Sequence, residues 1–181
     1  MENFITNNIS IINKNNNLII RIGKKCNGNF INKFSQQSME TFMNNIYQKF
    51  PYITKFRVNT DKKIYKSKNS LTIIDSKNYE NYTYRIINSE VIKNVDPKNQ
   101  YDLHLSVIKK EDQDECVSSI YKYHDIEKIE EYIIDINNLF NIVITNTRHN
   151  EDTWFSVIIE IKKPNNSKKI CNKILSIINM L

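Results

Sequence analysis

A series of short runs rich in β-branched and aromatic residues, between Ile53 and Ile161, most constrains the fold of this 181-residue chain. Clusters of Asn, Asp and Lys separate the runs, and no amphipathic helical pattern lies between them. The runs cover residues 53–59, 63–66, 71–75, 82–88, 101–109, 117–123, 131–136, 140–147 and 153–161. Strands that follow one another without intervening helices predict an antiparallel sheet, and so many strands predict a barrel or a strongly curved sandwich.

Two helices are predicted outside this series. Ser35 is a suitable N-cap for a helix whose apolar residues recur at helical spacing until Pro51. Ser167 begins a last helix with its apolar residues on one stripe, whereas residues 1–16 have neither a clean helical nor a clean strand period. The length favours one domain, 1–181, with a single well-buried core.

Two strand-like segments near the ends of the chain, Asn17–Gly23 and Phe155–Ile161, each contain one charged residue within an apolar run. Residues two apart in a strand share a face. One face of the first segment consists of Asn17, Ile19 and Arg21, and one face of the second consists of Ser156, Ile158 and Glu160. Any charged chemistry is expected on these faces, which contain too few carboxylates for an intact metal site.

The net charge permits an acidic partner. The formal net charge is +6 and the pI is about 9.1, which suits nucleic acid or polyphosphate. Alanine is absent while Asn, Ile, Lys and Tyr dominate, which indicates an A+T-rich genome such as that of a large DNA virus or a protist. The same codon bias enriches lysine, so the charge alone does not decide between a nucleic-acid partner and mutational drift.

The cysteines and the hydropathy pattern indicate a reducing compartment. Cys26, Cys116 and Cys171 are odd in number, far apart and outside any C-x-x-C spacing, which argues against a disulfide framework and a structural zinc site. No apolar run is long enough to span a membrane, and the N-terminus lacks a signal-peptide pattern. We expect a soluble cytoplasmic protein without a membrane partner, located in the infected-cell cytoplasm or the virion if it is viral.

The order of strand, helix, many antiparallel strands, closing strand and helix resembles that of the triphosphate tunnel metalloenzymes. It is most similar to the RNA 5′-triphosphatases of the fungal and large-DNA-virus mRNA capping apparatus. In that family a first strand reads roughly Glu-x-Glu-x-Arg-x-Gly, a central strand Asp-x-Arg-x-Ser, and a late strand Glu-x-Glu. The matching segments here are Asn17–Gly23, Tyr101–Ser106 continuing to Glu111, Phe140–Thr145 and Ser156–Glu160, within residues 15–163. The resemblance implies an α+β fold, an antiparallel β-barrel or tunnel with an external helix and a C-terminal helix at 167–181.

The resemblance also implies a site in which carboxylates hold Mg²⁺ or Mn²⁺ and basic residues neutralise a triphosphate. The first strand keeps Arg21 but has Asn17 and Ile19 where the family has glutamates, and the last strand keeps only Glu160. The central strand keeps Asp102 and Ser106 but has His104 in place of the arginine, and Val143 stands where a late acidic residue often occurs. The segment Asp125–Tyr132, which supplies basic residues in the family, is acidic here.

The candidate residues follow from this transfer. Glu160 is the candidate catalytic residue and metal ligand, and the candidate phosphate-binding residues are Arg21, Arg85, His104 and Lys110. Glu160 has an alternative role as the structural ion-pair partner of Arg21 across adjacent strands. For His104 the alternative is ordinary packing. The sequence does not decide whether Arg85 points inward or outward.

The sequence therefore favours an RNA 5′-triphosphatase-like subunit of an mRNA capping or transcription assembly of a large DNA virus. Its catalytic carboxylates are largely lost, and a binding or scaffolding role remains. We expect no cofactor if the site is degenerate and Mg²⁺ or Mn²⁺ if it is active. The expected partners are an RNA 5′ end or triphosphate and other capping or transcription subunits.

Two alternatives stay open. The first is an active metal-dependent polynucleotide 5′-triphosphatase that uses Glu160 with other carboxylates, for which Glu111, Asp102 and Glu90 are candidates. The second is an unrelated β-rich protein-interaction domain. Inward basic residues around a solvent channel would support the family, and an aliphatic-filled interior would support the interaction domain.

Overall fold

The computed structural model describes residues 1–12, 16–50, 54–66, 70–75, 80–93, 101–112, 126–136, 139–149, 151–161 and 167–181. The helices are α1 (Glu2–Asn8), followed by a 3₁₀ turn (Ile9–Ile11), α2 (Gln36–Lys49) and α3 (Ser167–Ile178). The strands are β1 (Asn16–Cys26), β2 (Asn29–Ile31), β3 (Thr54–Lys66), β4 (Ser70–Asp75), β5 (Glu80–Ile92), β6 (Asp102–Asp112), β7 (Ile126–Ile136), β8 (Phe140–His149) and β9 (Asp152–Ile161).

All strands pair antiparallel, in the order β2-β1-β6-β5-β4-β3-β7-β8-β9. The last strand also pairs with the first, with Ile19 opposite Glu160 and Arg21 opposite Ile158. Each of the eight strands other than β2 thus has a paired strand on both sides, and the order returns to β1. This topology confirms the predicted α+β fold with an antiparallel barrel, and it places the two charged end strands side by side.

The hydrophobic core lies between the helices and one face of the sheet, which we call the outer face. Alternate residues of β1, β6, β8 and β9 point to this face because side chains alternate along a strand. They are Leu18, Ile20, Ile22, Leu103, Leu105, Val107, Phe140, Ile142, Ile144, Val157, Ile159 and Ile161. Phe42 and Ile46 of α2 and Ile174 and Ile177 of α3 pack against them and are fully buried. The helices therefore occupy the outer face, and the opposite, inner face remains for the site.

Local sequence signals explain the helix start and the first hairpin. The Ser35 hydroxyl accepts a hydrogen bond from the Ser38 backbone N–H, which confirms the predicted N-cap of α2. Asn27 and Gly28 join β1 to β2 with φ values of 48° and 84°, the left-handed conformation that Asn-Gly pairs favour in two-residue hairpin turns. The backbone of β2 approaches β1 closely at Gly23. Only glycine fits there, because a Cβ at this position would lie 2.1 Å from the Ile31 carbonyl oxygen.

Several predicted boundaries differ from the structure. The runs at 53–59 and 63–66 form one continuous strand, β3, because the polar residues between them pair with β7 instead of turning. The strand predicted at 131–136 begins at Ile126, and residues 2–11, ambiguous in the sequence, are helical. The strand predicted at 117–123, like Cys116, lies outside the described residues. Within the part of the chain that is described, no helix is long and apolar enough to cross a membrane.

Candidate functional site

The charged residues of the two end strands meet on the inner face. Residues paired across neighbouring strands share a face, so register shows which side chains lie together. Arg21 lies opposite His104 of β6 and Ile158 of β9. Glu160 lies opposite Ile19, which is two residues from Arg21 on the same face of β1. The site is thus formed by β6, β1 and β9, which the chain order separates but the sheet places next to one another.

The inner face is less completely buried than the outer face. On the outer face, Ile20 and Ile159 have no exposed surface. Inner-face residues that keep partial exposure are Ile19, Arg21, His104, Ile133, Val143, Ile158 and Glu160. Ser106 and Ile108 of β6 lie on the same face and are buried, so the described inner face is partly packed and partly accessible. The described lining combines isolated charges with aliphatic side chains. It is therefore neither the basic channel expected for the family nor the aliphatic interior expected for an interaction domain.

Arg21 is a half-buried cation, and among the described residues no acid compensates its charge. Burial lowers the pKa of its guanidinium, and no carboxylate of the described part raises it. Its neighbours across the strands are an imidazole and an aliphatic side chain. An arginine placed in this way carries five N–H donors and an uncompensated charge, so it favours the binding of an anion.

His104 extends the polar lining beside Arg21 toward the β1–β2 hairpin. Burial lowers the pKa of its imidazole, and the nearby positive charges of Arg21 and Lys25 lower it further. Its Nε2 lies 3.4 Å from the Ser106 hydroxyl oxygen, and its ring lies 5.4 Å from the Phe30 ring, centroid to centroid. Near neutral pH the imidazole is therefore neutral, and an anion beside it would restore its proton affinity.

The Glu160 carboxylate is held by an amide and not by Arg21. The Asn17 side-chain amide donates a hydrogen bond of 3.1 Å to Glu160 Oε1. In the described part of the chain no ion pair joins Glu160 to Arg21, and the guanidinium pKa shows no carboxylate effect. The alternative interpretation of Glu160 as the ion-pair partner of Arg21 is therefore wrong. Glu160 lies opposite Ile19, so Asn17 and Arg21 are its two diagonal neighbours on β1. Its hydrogen bond comes from the shorter Asn17 side chain.

The described residues do not fit the metal site of the family that the sequence resembles. Among the described residues, no group of three or more His, Cys, Asp or Glu side chains could hold a metal ion. On β1 the two expected glutamate positions hold an amide, which donates to Glu160, and an isoleucine, which offers no oxygen. A hard divalent cation needs several converging oxygens, and the Arg21 charge nearby disfavours it further.

The other two predicted phosphate-binding residues, Arg85 and Lys110, are not strand neighbours of Arg21 or His104. Arg85 pairs with Lys109, is exposed and lies on the outer face, so it does not join Arg21 and His104. Lys110 has a register position on the inner face opposite Tyr84, although its side chain is outside the described part.

The alternative carboxylates do not converge on Glu160 either. Asp102 is buried and accepts a 2.7 Å hydrogen bond from the Lys25 backbone N–H. Glu90 is exposed on the outer face opposite Leu105, and Glu111 has a register position on that same face.

Two inner-face residues that the sequence analysis missed lie in one row with Glu160. Asn141 of β8 is opposite Glu160 on one side and Asp135 of β7 on the other. Asn141 Oδ1 is buried and accepts no hydrogen bond from any described group. The available signal was a single polar residue inside each apolar run, Asp135 in 133–136 and Asn141 in 140–144.

Comparisons with known proteins identify the fold but not a sequence family. No family model matches the chain, and no curated protein matches it in sequence. The S. pombe Pct1 RNA triphosphatase in complex with the Spt5 CTD superposes with a TM-score of 0.69 at 9% identity, over 94% of this chain and 83% of that chain.

The Mimivirus capping enzyme triphosphatase superposes with a TM-score of 0.64 at 7% identity, over 99% and 97% of the two chains. This chain has the fold of the RNA triphosphatases. The likeness concerns the fold and not the residue identities, which agrees with a resemblance based on order and spacing.

Proposed function

We propose that this protein is a divergent RNA 5′-triphosphatase-like subunit that binds a 5′-triphosphate end without hydrolysing it. The observation that carries the proposal is the Arg21 guanidinium on the inner face beside His104, whose charge no carboxylate in the described part of the chain compensates. On the inner face of this barrel a phosphate chain would neutralise the half-buried cation.

The loss of catalysis is the second part of the proposal. Hydrolysis by a metal needs a cation held near the γ-phosphate, and Glu160, the glutamate next to Arg21 in the described register, is tied to an amide. Binding needs only hydrogen-bond donors with positive charge and access to them, and Arg21 supplies the charge on a partly exposed face. We expect no required cofactor for binding.

Fluorescence anisotropy of a short RNA with a 5′-triphosphate end, in EDTA, tests the binding. We expect tighter binding than for the same RNA with a 5′-hydroxyl. Arg21→Met should lower the affinity for the triphosphate end about tenfold or more, since hydrogen bonds to charged groups contribute about 1.5–3 kcal/mol. Arg148→Met, which removes an exposed arginine, is the matched control and should leave it unchanged. Equal affinity for both ends, or an unaffected Arg21→Met, contradicts the proposal.

One observation favours the alternative of an active enzyme. Three oxygen-bearing residues lie in one row across β7, β8 and β9: Asp135, Asn141 and Glu160. Asn141 Oδ1 accepts no hydrogen bond from a described group, and it is the type of atom that coordinates a bound cation. Phosphate release from triphosphate-ended RNA in Mg²⁺ or Mn²⁺ distinguishes the two. Turnover that Glu160→Ala abolishes supports the enzyme, and no release above the blank supports the binding subunit.

We further propose that the protein acts within a capping or transcription assembly of a large DNA virus, in the infected-cell cytoplasm or the virion. The A+T-biased composition and the fold shared with a Mimivirus capping triphosphatase support the viral origin. The complex of the S. pombe Pct1 triphosphatase with the Spt5 CTD supports a transcription partner. Co-purification with capping or polymerase subunits from infected cells tests this, and recovery of the protein alone contradicts it.

A further inference from the structure

The net positive charge of the chain is concentrated at its C-terminal end. Residues 161–181 contain five lysines and none of the chain's 20 acidic residues. Since the whole chain carries +6, residues 1–160 are nearly neutral. Codon bias would distribute lysine along the chain, so drift does not account for a segment that excludes every acid.

Helix α3 displays part of this charge on one side. Lys168 and Lys169 are exposed, and Lys173 follows one helical turn after Lys169. These lysines border a shallow depression of about 410 Å³ together with Asn172 and Ser176. From the end of α2, the Lys49 ammonium contacts the Ser176 hydroxyl and adds a fourth positive charge. We call this surface the α3 basic face: Lys49, Lys168, Lys169, Asn172, Lys173 and Ser176.

We infer that the α3 basic face binds the phosphate backbone of single-stranded RNA without reading its sequence. Lysine ammonium groups contact phosphates as point charges, and the neighbouring amide and hydroxyl add neutral donors. The choice of RNA as the polyanion rests on the proposed function. The surface itself belongs to the outer side of the fold and does not use Arg21, His104 or Glu160.

A membrane is the less suitable partner for this helix. A helix that lies on a bilayer inserts its apolar side among the lipids. The apolar stripe of α3 is already packed in the core, with Ile170 at 1% and Ile174 at 0% exposure. Only the lysine side is available, which suits a polyanion in solution.

The salt dependence of RNA binding measures the number of backbone contacts. The probe is a 20-nucleotide RNA with a 5′-hydroxyl, so that the inner-face site does not contribute. The logarithm of the association constant falls linearly with the logarithm of salt concentration, with a slope of about −0.7 per neutralised phosphate on single strands. We expect Lys168→Gln/Lys169→Gln/Lys173→Gln to flatten the slope by about 2.

The matched control is Lys24→Gln/Lys93→Gln/Arg148→Gln, which removes the same charge from exposed positions elsewhere. It should change the slope by less than half as much. Thermal melting confirms that both variants fold, and Lys168→Gln alone, with an expected change of about 0.7, provides the reading if the triple variant does not fold. Equal changes in the two triple variants, or no binding of this RNA by the wild type, would overturn the inference.

Two further probes separate the alternatives. Binding to phosphatidylserine vesicles or to polyglutamate, without binding to the RNA, also overturns it. A preference for triphosphate over hydroxyl ends that survives in the lysine variant shows that the inner-face site functions independently. If only the preference for triphosphate ends is absent, the proposed function is refuted. The inference that the α3 basic face binds RNA then still holds.

Discussion

Replacing Arg21 by methionine should stabilise the free protein while it weakens triphosphate binding. The guanidinium is largely taken out of water, and no described carboxylate offsets that cost. Methionine keeps an unbranched apolar stem against Ile19 and Ile158 and removes the charge. Because the burial penalty disappears and the packing remains, we expect a gain of about 1–3 kcal/mol in the free energy of unfolding.

Urea denaturation and thermal melting in the absence of ligand measure this change. For a domain of this size, about 1 kcal/mol corresponds to about 2–4 °C in Tm. The control Arg148→Met removes an exposed arginine and should stay within about 0.5 kcal/mol of the wild type. A loss of about 3 kcal/mol or more in Arg21→Met would refute the reasoning, since it is the result of breaking a buried ion pair.

Three further outcomes are expected from the structure. Gly23→Ala should destabilise the protein by about 2 kcal/mol or more in urea denaturation, because its Cβ would meet the Ile31 carbonyl; a neutral effect would contradict the tight hairpin. Ile174→Ala should cost about 2–5 kcal/mol in the same assay, because the side chain is fully buried under α3; a loss below 1 kcal/mol would contradict that packing. The folded pKa of His104 is lowered, so its contribution to stability is present above the unfolded value of about 6.5 and is lost as pH falls through the folded pKa. Relative to the wild type, His104→Asn should lose less stability on acidification below about pH 6.5 in pH-dependent melting, and parallel curves would contradict this.

The sequence predicted the placement of the end strands because single charges in apolar runs constrain their faces strongly. The alternation around Arg21 and Glu160 gives the inner face directly, and the structure confirms that these strands are neighbours. What alternation cannot show is which partner a side chain selects. Glu160 has two diagonal neighbours, and the folded structure selects the Asn17 amide as its partner.

Arg85 shows a second limit of sequence reasoning. A register shift between Ile86 and Asn88 interrupts the alternation of β5. Beyond it Ser89 lies opposite Ser106 on the inner face, whereas Arg85 lies opposite Lys109 on the outer face. Uniform alternation would put Ser89 and Arg85 on one face, and no residue pattern in β5 marks the bulge.

The central claim is that the inner face binds a triphosphate group and leaves it intact. ³¹P NMR of tripolyphosphate with an equimolar amount of protein and excess Mg²⁺, followed over hours, tests both parts in one measurement. We expect the tripolyphosphate resonances to shift or broaden, with no orthophosphate signal above that of a protein-free sample. Growing orthophosphate, or a spectrum identical to that of free tripolyphosphate, would contradict the account.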